Sequence, residues 1–131
     1  MIENTIKAWH QVIENNSENQ LDDLLADNVV FHSPVVHTPQ EGKGATKMYL
    51  MAALYTLGND NFKYVREILD GTHAVLEFST EIDGISINGV DMISCNDDGK
   101  IVDFKVMLRP LKAINIVHQK MGEMLASFNK G

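Results

Sequence analysis

The chain has 131 residues, of which 44% are hydrophobic and 22% charged, and its formal net charge at neutral pH is −7. This composition predicts one folded domain, residues 1–131, and argues against a disordered chain. An acidic chain without a basic stripe is a poor nucleic-acid binder, its longest apolar run is too short to span a membrane, and one cysteine excludes an internal disulfide. No signal peptide is evident, so we expect a cytoplasmic protein.

Two amphipathic helices are predicted at the start of the chain. Apolar residues that include Trp9 recur at helical spacing over residues 3–15, with polar residues on the other side. Ser17, with Gln20 three residues later, is typical of a helix N-cap and starts a second helix. That helix is expected to end at Asp27-Asn28 and to bury one stripe, which consists of Leu21, Leu24 and Leu25.

A short strand, a loop and a third helix follow. A β-branched and aromatic run predicts a strand from Val29 to Ser33, which ends where Pro34 removes a backbone donor. The segment from Val35 to Gly44 is predicted to be a loop. Residues 43–57 have apolar residues at helical spacing and predict the third helix.

The second half of the chain predicts an antiparallel meander of four strands followed by a helix. The first two strands are predicted at residues 62–69 and 73–82. Two long strands lie within Gly89 to Pro110 and meet at a turn over Asn96 to Gly99, where Asn, Asp and Gly tolerate turn dihedrals. Lys112 to Phe128 is predicted to be the last helix.

One carboxylate interrupts an apolar row on the first long strand. Asp91 is in phase with Ile85, Ile87, Ile93 and Cys95. On the next strand, one face is predicted to carry Val102, Phe104, Val106 and Leu108, and the other Asp103, Lys105, Met107 and Arg109. Burial disfavours the charged form of a carboxyl group, which suits a general acid or a neutral donor. If Asp91 is structural instead, we expect Trp9, Tyr49 or a histidine as its hydrogen-bond partner.

Four stretches carry a family resemblance: the helix with Trp9, the stretch Leu24 to Pro34, the helix after Glu41 to Ala45, and the stretch Val90 to Pro110. In these stretches, and in the order of its elements, the chain resembles the nuclear transport factor 2-like superfamily, within the SnoaL-like polyketide cyclase and ketosteroid isomerase group. The resemblance implies an α+β cone, in which a strongly curved, mostly antiparallel β-sheet wraps around N-terminal helices, with a C-terminal helix. It also implies a cavity for a small apolar molecule and a homodimer through the outer sheet face.

The resemblance matches known catalytic sites only in part. Against the steroid isomerase pattern, Trp9 stands at an oxyanion-hole tyrosine, Ser33 at the general-base aspartate, and Asp91 at the second oxyanion-hole donor. Against the limonene epoxide hydrolase pattern, Asp91 matches again, whereas Gly89 replaces an arginine and Val106 an aspartate. A hydroxyl cannot serve as a carboxylate base at neutral pH, so we expect steroid isomerisation to be absent or very slow.

We therefore expect a small-molecule-binding protein that is a candidate acid–base isomerase, cyclase or hydrolase acting on a small apolar substrate in the cone. The alternative is a non-catalytic ligand-binding or dimerisation module. Catalysis is assigned to Asp91 with help from His32, which with His37 is expected at the mouth of the cone. The predicted ligand-binding residues are Trp9, Ser33, His37, Tyr49, Ile93 and Phe104. No metal and no cofactor are predicted.

Overall fold

The computed structural model describes residues 1–129. Four helices and six strands follow one another along the chain. In order they are α1 (Ile2–Asn15), α2 (Glu18–Leu24), β1 (Leu25–His32), β2 (Gln40–Glu41), α3 (Lys43–Leu57), β3 (Lys63–Asp70), β4 (His73–Ile82), β5 (Ile85–Cys95), β6 (Ile101–Arg109) and α4 (Leu111–Asn129).

The six strands form one mixed, curved sheet in the order β2-β1-β6-β5-β4-β3. Strands β3 to β6 are the predicted antiparallel meander, and β1 joins β6 in parallel. The N-terminal helices and α4 are both present, so the predicted α+β cone is confirmed. No helix among residues 1–129 is long and apolar enough to cross a membrane.

The junction between the second helix and the first strand differs from the prediction. Helix α2 ends at Leu24, and Leu25 already belongs to β1. Leu25 pairs with Ile101 of β6 and is only 1% exposed. The helical spacing of three leucines predicted a longer helix, but pairing with the distant strand β6 makes Leu25 part of a strand.

Two further local predictions need correction. The segment from Val35 to Gly44 is not entirely a loop, because β2 inside it pairs with Val30 and Phe31. Val102 does not share the face of Phe104: Ser94 pairs with Asp103 and Cys95 with Ile101, which leaves Val102 as the extra residue of an irregularity. Ile101 is fully buried in its place.

The predicted helix cap and the predicted turn are both present, and side-chain hydrogen bonds to the backbone stabilise each of them. The Ser17 hydroxyl accepts a hydrogen bond from the Gln20 backbone amide at 3.1 Å, as an N-cap does. In the turn between β5 and β6, the Asn96 side-chain oxygen accepts from the amides of Asp98 and Lys100, both at 3.0 Å. Gly99 there has φ +77°, a value that suits glycine. This turn fixes how the two central strands meet.

Candidate functional site

Asp91 lies in the middle of β5, on the face of the sheet that the helices cover. Its neighbours in the same inward row, Ile87 and Ile93, are 2% and 1% exposed, and Asp91 itself is 6% exposed. In the adjacent strands it pairs with Leu76 and Val106. The alternation of apolar residues along the strand therefore predicted correctly that this carboxyl group lies on the buried face.

A cavity of about 50 Å³ opens beside Asp91. It is lined mostly by apolar side chains from α1, α3, α4 and the sheet, among them Phe31, Leu54, Phe78, Phe104, Val117 and Met121. One water needs about 10–15 Å³ and ordinary ligand pockets measure about 300–1,000 Å³. The cavity accepts only a very small molecule unless its walls move apart.

The partner of Asp91 is Tyr64 of β3, a residue that the sequence analysis missed. The Tyr64 hydroxyl donates to Asp91 Oδ2 at 2.6 Å. Trp9 Nε1 in turn donates to the Tyr64 oxygen at 2.9 Å. Trp9, expected as a direct partner of Asp91, is therefore one hydrogen bond further away.

Burial dominates the ionisation of this pair. It raises the pKa of Asp91 from 3.8 to about 7, although the hydrogen bond from Tyr64 opposes the shift by stabilising the carboxylate. Burial also raises the pKa of Tyr64 well above its usual value, and the nearby Asp91 charge adds to that effect. Near neutral pH, Asp91 is thus divided between its two forms while Tyr64 keeps its proton.

Of the other predicted ligand contacts, two line the cavity and two do not. Ser33 and Phe104 are part of its wall, and Phe104 also packs edge-on against Trp9 with ring centroids 4.9 Å apart. Tyr49 and Ile93 are absent from the wall, so their predicted positions were wrong. Tyr49 packs instead against Phe31, with ring centroids 5.8 Å apart, and Ile93 belongs to the core.

The two histidines predicted at the mouth of the cone do not line the cavity that contains Asp91. Strand alternation turns His32 away from the inward Phe31, and its Nε2 lies 3.0 Å from Asp103 Oδ1. His32 and His37 line a neighbouring groove that shares three residues with the cavity wall: Ser33, Pro34 and Val106. In this structure, His32 therefore has no contact with the cavity that Asp91 lines. No group of three or more His, Cys, Asp or Glu side chains in residues 1–129 is arranged to hold a metal ion.

Comparison with known proteins now identifies the family. A family model of the SnoaL-like domain matches residues 6–104. The chain belongs to the SnoaL-like family. Its structure has the nuclear transport factor 2-like fold, which is related to those of ketosteroid isomerases and cyclases. None of the curated proteins compared with the chain matches it.

Solved structures similar to this SnoaL-like protein agree with that assignment. A steroid Δ-isomerase from Pseudomonas aeruginosa is 36% identical, with a TM-score of 0.92, over 99% of this chain and 95% of its own. A bacterial protein of cystatin-like fold from Silicibacter pomeroyi is 28% identical, with a TM-score of 0.84, over 91% of this chain and 83% of its own. A nuclear transport factor 2-like protein of unknown function from Mesorhizobium loti shares the fold at 18% identity, with a TM-score of 0.72, over 83% of this chain and 91% of its own.

Of the positions at which this SnoaL-like chain departs from known catalytic patterns, Gly89 has a structural explanation. Ser33 lines the cavity, and its hydroxyl accepts a hydrogen bond from the Val35 amide at 3.2 Å. Gly89 pairs with Phe78 and Leu108, and a Cβ atom there would lie 2.3 Å from Phe78 Cζ. The aromatic ring occupies the space that a side chain at position 89 would need, which excludes an arginine in this arrangement.

The sequence analysis did not identify Tyr64 because apolar and polar residues do not alternate clearly along its strand. Seven of the eight residues of β3 are exposed, and its pairing with β4 shifts register between Tyr64 and Arg66. The available signal was the aromatic residue itself, two positions after Phe62. Its inward direction required the register of β3 against β4.

Proposed function

We propose that this SnoaL-like protein binds a small, largely apolar molecule in its cavity and carries out acid–base chemistry on it through Asp91. The observation that carries the proposal is a carboxyl group, 6% exposed and bonded to Tyr64 at 2.6 Å, in the wall of an otherwise apolar cavity. A few polar groups within an apolar pocket are the usual composition of a ligand site.

The ionisation of Asp91 supports proton transfer near neutral pH. General acid–base catalysis works best when the pKa of the group lies near the working pH, because both protonation states are then populated. The pKa of Asp91, at about 7, meets that condition. We propose Asp91 as the group that gives a proton to the substrate or takes one from it.

A small ketone offers a direct experiment. In heavy water, an enzyme that moves protons next to a carbonyl group exchanges the α-hydrogens of cyclohexanone for deuterium, which proton NMR follows. We expect exchange with the unmodified protein and none above background with Asp91→Asn, which keeps the size of the side chain but cannot titrate. Equal exchange rates for the two proteins would contradict the proposal.

Steroid isomerisation is a separate test of whether the protein lacks a carboxylate base because Ser33 stands at that position. The related Pseudomonas aeruginosa structure is named a steroid Δ-isomerase. We expect turnover of a 5-ene-3-ketosteroid to be lower by about 10²–10⁴-fold than with a carboxylate base, because Ser33 stands at that position. Ser33→Asp should raise the rate, and Ser33→Asn is the matched control without a carboxylate. Robust turnover by the unmodified protein would show that Ser33 is not the position that matters.

The second candidate function is a non-catalytic ligand-binding module. The observation in its favour is that Asp91 is the only carboxyl or imidazole group in the cavity wall formed by the described residues. Such a module predicts that cyclohexanone raises the melting temperature without any exchange of its α-hydrogens. Measurements on the unmodified protein and on Asp91→Asn therefore distinguish the catalytic function from the non-catalytic one.

We also propose that the protein forms a homodimer through the outer face of the sheet. Across neighbouring strands, Ile68, Val75 and Met92 form one apolar row on that face, and Val90 and Met107 form another. Ile68, Met92 and Met107 are 55%, 38% and 51% exposed. Each row continues into charged residues: Lys105 follows Met92 in the first row, and Glu77 and Arg66 follow Val90 in the second. Polar residues at the edge of an apolar patch are typical of interfaces.

A further inference from the structure

The hydrogen bonds among Trp9, Tyr64 and Asp91 run in one direction, from the indole to the carboxyl group. An indole N–H donates and never accepts, so the Tyr64 oxygen must accept the bond from Trp9 Nε1 at 2.9 Å. The single hydroxyl hydrogen of Tyr64 is then free to point at Asp91 Oδ2, 2.6 Å away. If Oδ2 carried the proton and donated it to Tyr64 instead, the phenol hydrogen would have no acceptor among the described residues. The arrangement that satisfies both groups therefore has Oδ2 as the acceptor.

We propose that Trp9 and Tyr64 are positioning residues that keep Asp91 Oδ2 as a permanent acceptor, so that Asp91 gains and loses its proton at Oδ1. No described residue other than Tyr64 hydrogen-bonds the Asp91 carboxyl group. The acid form then presents an O–H group at Oδ1. Neither the direction of the hydrogen bonds nor the site of protonation rests on the proposed function.

We call the hydrogen-bonded series of Trp9, Tyr64 and Asp91 the relay. The side chains of the relay are held in place by packing. Trp9 is 3% exposed and its ring lies against Phe104. The Tyr64 ring packs edge-on against Phe62, with centroids 5.1 Å apart, which restricts rotation of the phenol. Because the pKa of Tyr64 is raised well above its usual value, its hydroxyl keeps its hydrogen throughout the neutral range.

Two other titratable groups lie near Tyr64. His10 of α1 packs against the Tyr64 ring with centroids 5.4 Å apart, and its Nε2 lies 2.6 Å from Glu67 of β3. The parts of α3, α4, β4 and β6 that line the cavity contribute no charged side chain. A titration observed at Tyr64 or Trp9 near neutral pH must therefore originate from Asp91 or from the pair of His10 and Glu67.

The relay makes a spectroscopic prediction. When Asp91 loses its proton, the bond from Tyr64 becomes charge-assisted, and the more electron-rich phenol oxygen accepts more strongly from Trp9. Trp9 is the only tryptophan of the chain, so its indole N–H gives a single, unambiguous signal in a proton–nitrogen NMR spectrum. We expect this proton to move downfield as the pH rises, with a midpoint near the Asp91 pKa of about 7.

Three variants test the relay. The titration of the indole signal should disappear in Asp91→Asn and in Tyr64→Phe, and should persist in His10→Gln, which removes the neighbouring titratable ring. Carbon NMR of the carboxyl group should also show the Asp91 pKa in Tyr64→Phe raised by about one pH unit, because a hydrogen bond to the carboxylate has been lost. A flat indole signal in the unmodified protein, a titration that survives Asp91→Asn, or one that disappears in His10→Gln would overturn the proposal.

These measurements need no ligand, so they are independent of the proposed function. An indole signal that titrates with Asp91, in a protein that exchanges no ketone hydrogen, would leave the relay standing and remove the catalytic proposal. Ketone exchange by a protein whose indole signal does not titrate would do the reverse.

Discussion

At the scale of single residues, the folded protein disfavours the ionised form of Asp91. Its carboxyl group is buried, so the charged form is disfavoured, and the one hydrogen bond from Tyr64 restores only part of the lost hydration. Because the folded-state pKa lies above the unfolded value, the folded protein holds the extra proton between these two values. Stability from this group is therefore greatest in acid and is lost as the pH rises from about 4 to about 7.

Asp91→Asn should remove this pH dependence. The amide oxygen can still accept from Tyr64, and no charge forms in the cavity wall. At pH 8 we expect the variant to be as stable as the unmodified protein or more stable, by up to about 4 kcal/mol for a difference of about three pH units. Chemical denaturation at pH 5 and pH 8 measures the effect. A variant less stable than the unmodified protein at pH 8 would mean that the ionised carboxyl group supports the fold.

Gly89 is another residue whose identity the packing around it determines. A methyl group there would collide with the Phe78 ring, which stacks on Phe62 with centroids 5.1 Å apart. We expect Gly89→Ala to destabilise the protein by about 1–3 kcal/mol, as overpacked cores do. Gly122→Ala is the matched control, since nothing lies within 4 Å of that position and alanine favours the helix. Equal stabilities for the two variants in urea denaturation would refute this explanation.

At the scale of elements, α2 depends on its ends. A helix of seven residues is too short to be stable alone. Ser17 caps its N-terminus, Lys47 of α3 bonds Asp22 on its side at 3.1 Å, and β1 begins at the next residue after Leu24. The short helix positions the strand that ends at the cavity wall.

Ser17→Ala should therefore lower the free energy of unfolding by about 1 kcal/mol, because the Gln20 amide loses its acceptor. Ser127→Ala, on the exposed face of α4, removes a hydroxyl that bonds only within its own turn and should change stability by less than about 0.5 kcal/mol. Denaturant midpoints of the two variants give the comparison. A cap variant as stable as the control would show that packing alone maintains α2.

At the scale of the whole molecule, the apolar rows on the outer sheet face predict a homodimer. Met107→Glu places a charge in the second apolar row and should convert the dimer to a monomer in sedimentation experiments at micromolar concentration. Tyr55→Glu changes a side chain that is as exposed, at 51%, but lies on α3, and should leave the dimer intact. An unmodified protein that sediments as a monomer would rule out this interface.

The sequence by itself determined the elements whose signals are local. The bounds of α3 and β4 agree with the prediction, and so does the buried direction of Asp91 in the row with Ile87 and Ile93. A strand with one buried face repeats every two residues and an amphipathic helix every 3.6, so neighbouring residues carry this information.

Only the tertiary structure decided which groups meet Asp91. Tyr64 is 27 positions away along the chain, and it reaches the carboxyl group because β3 pairs with β4 and β4 with β5, with a register shift next to Tyr64 itself. His32 was expected to help Asp91, yet the parallel pairing of β1 with β6 directs it to Asp103 on the other face. Register and irregularities depend on contacts between distant segments, and a shift of one residue moves a side chain to the opposite face. No local pattern in the sequence carries that information.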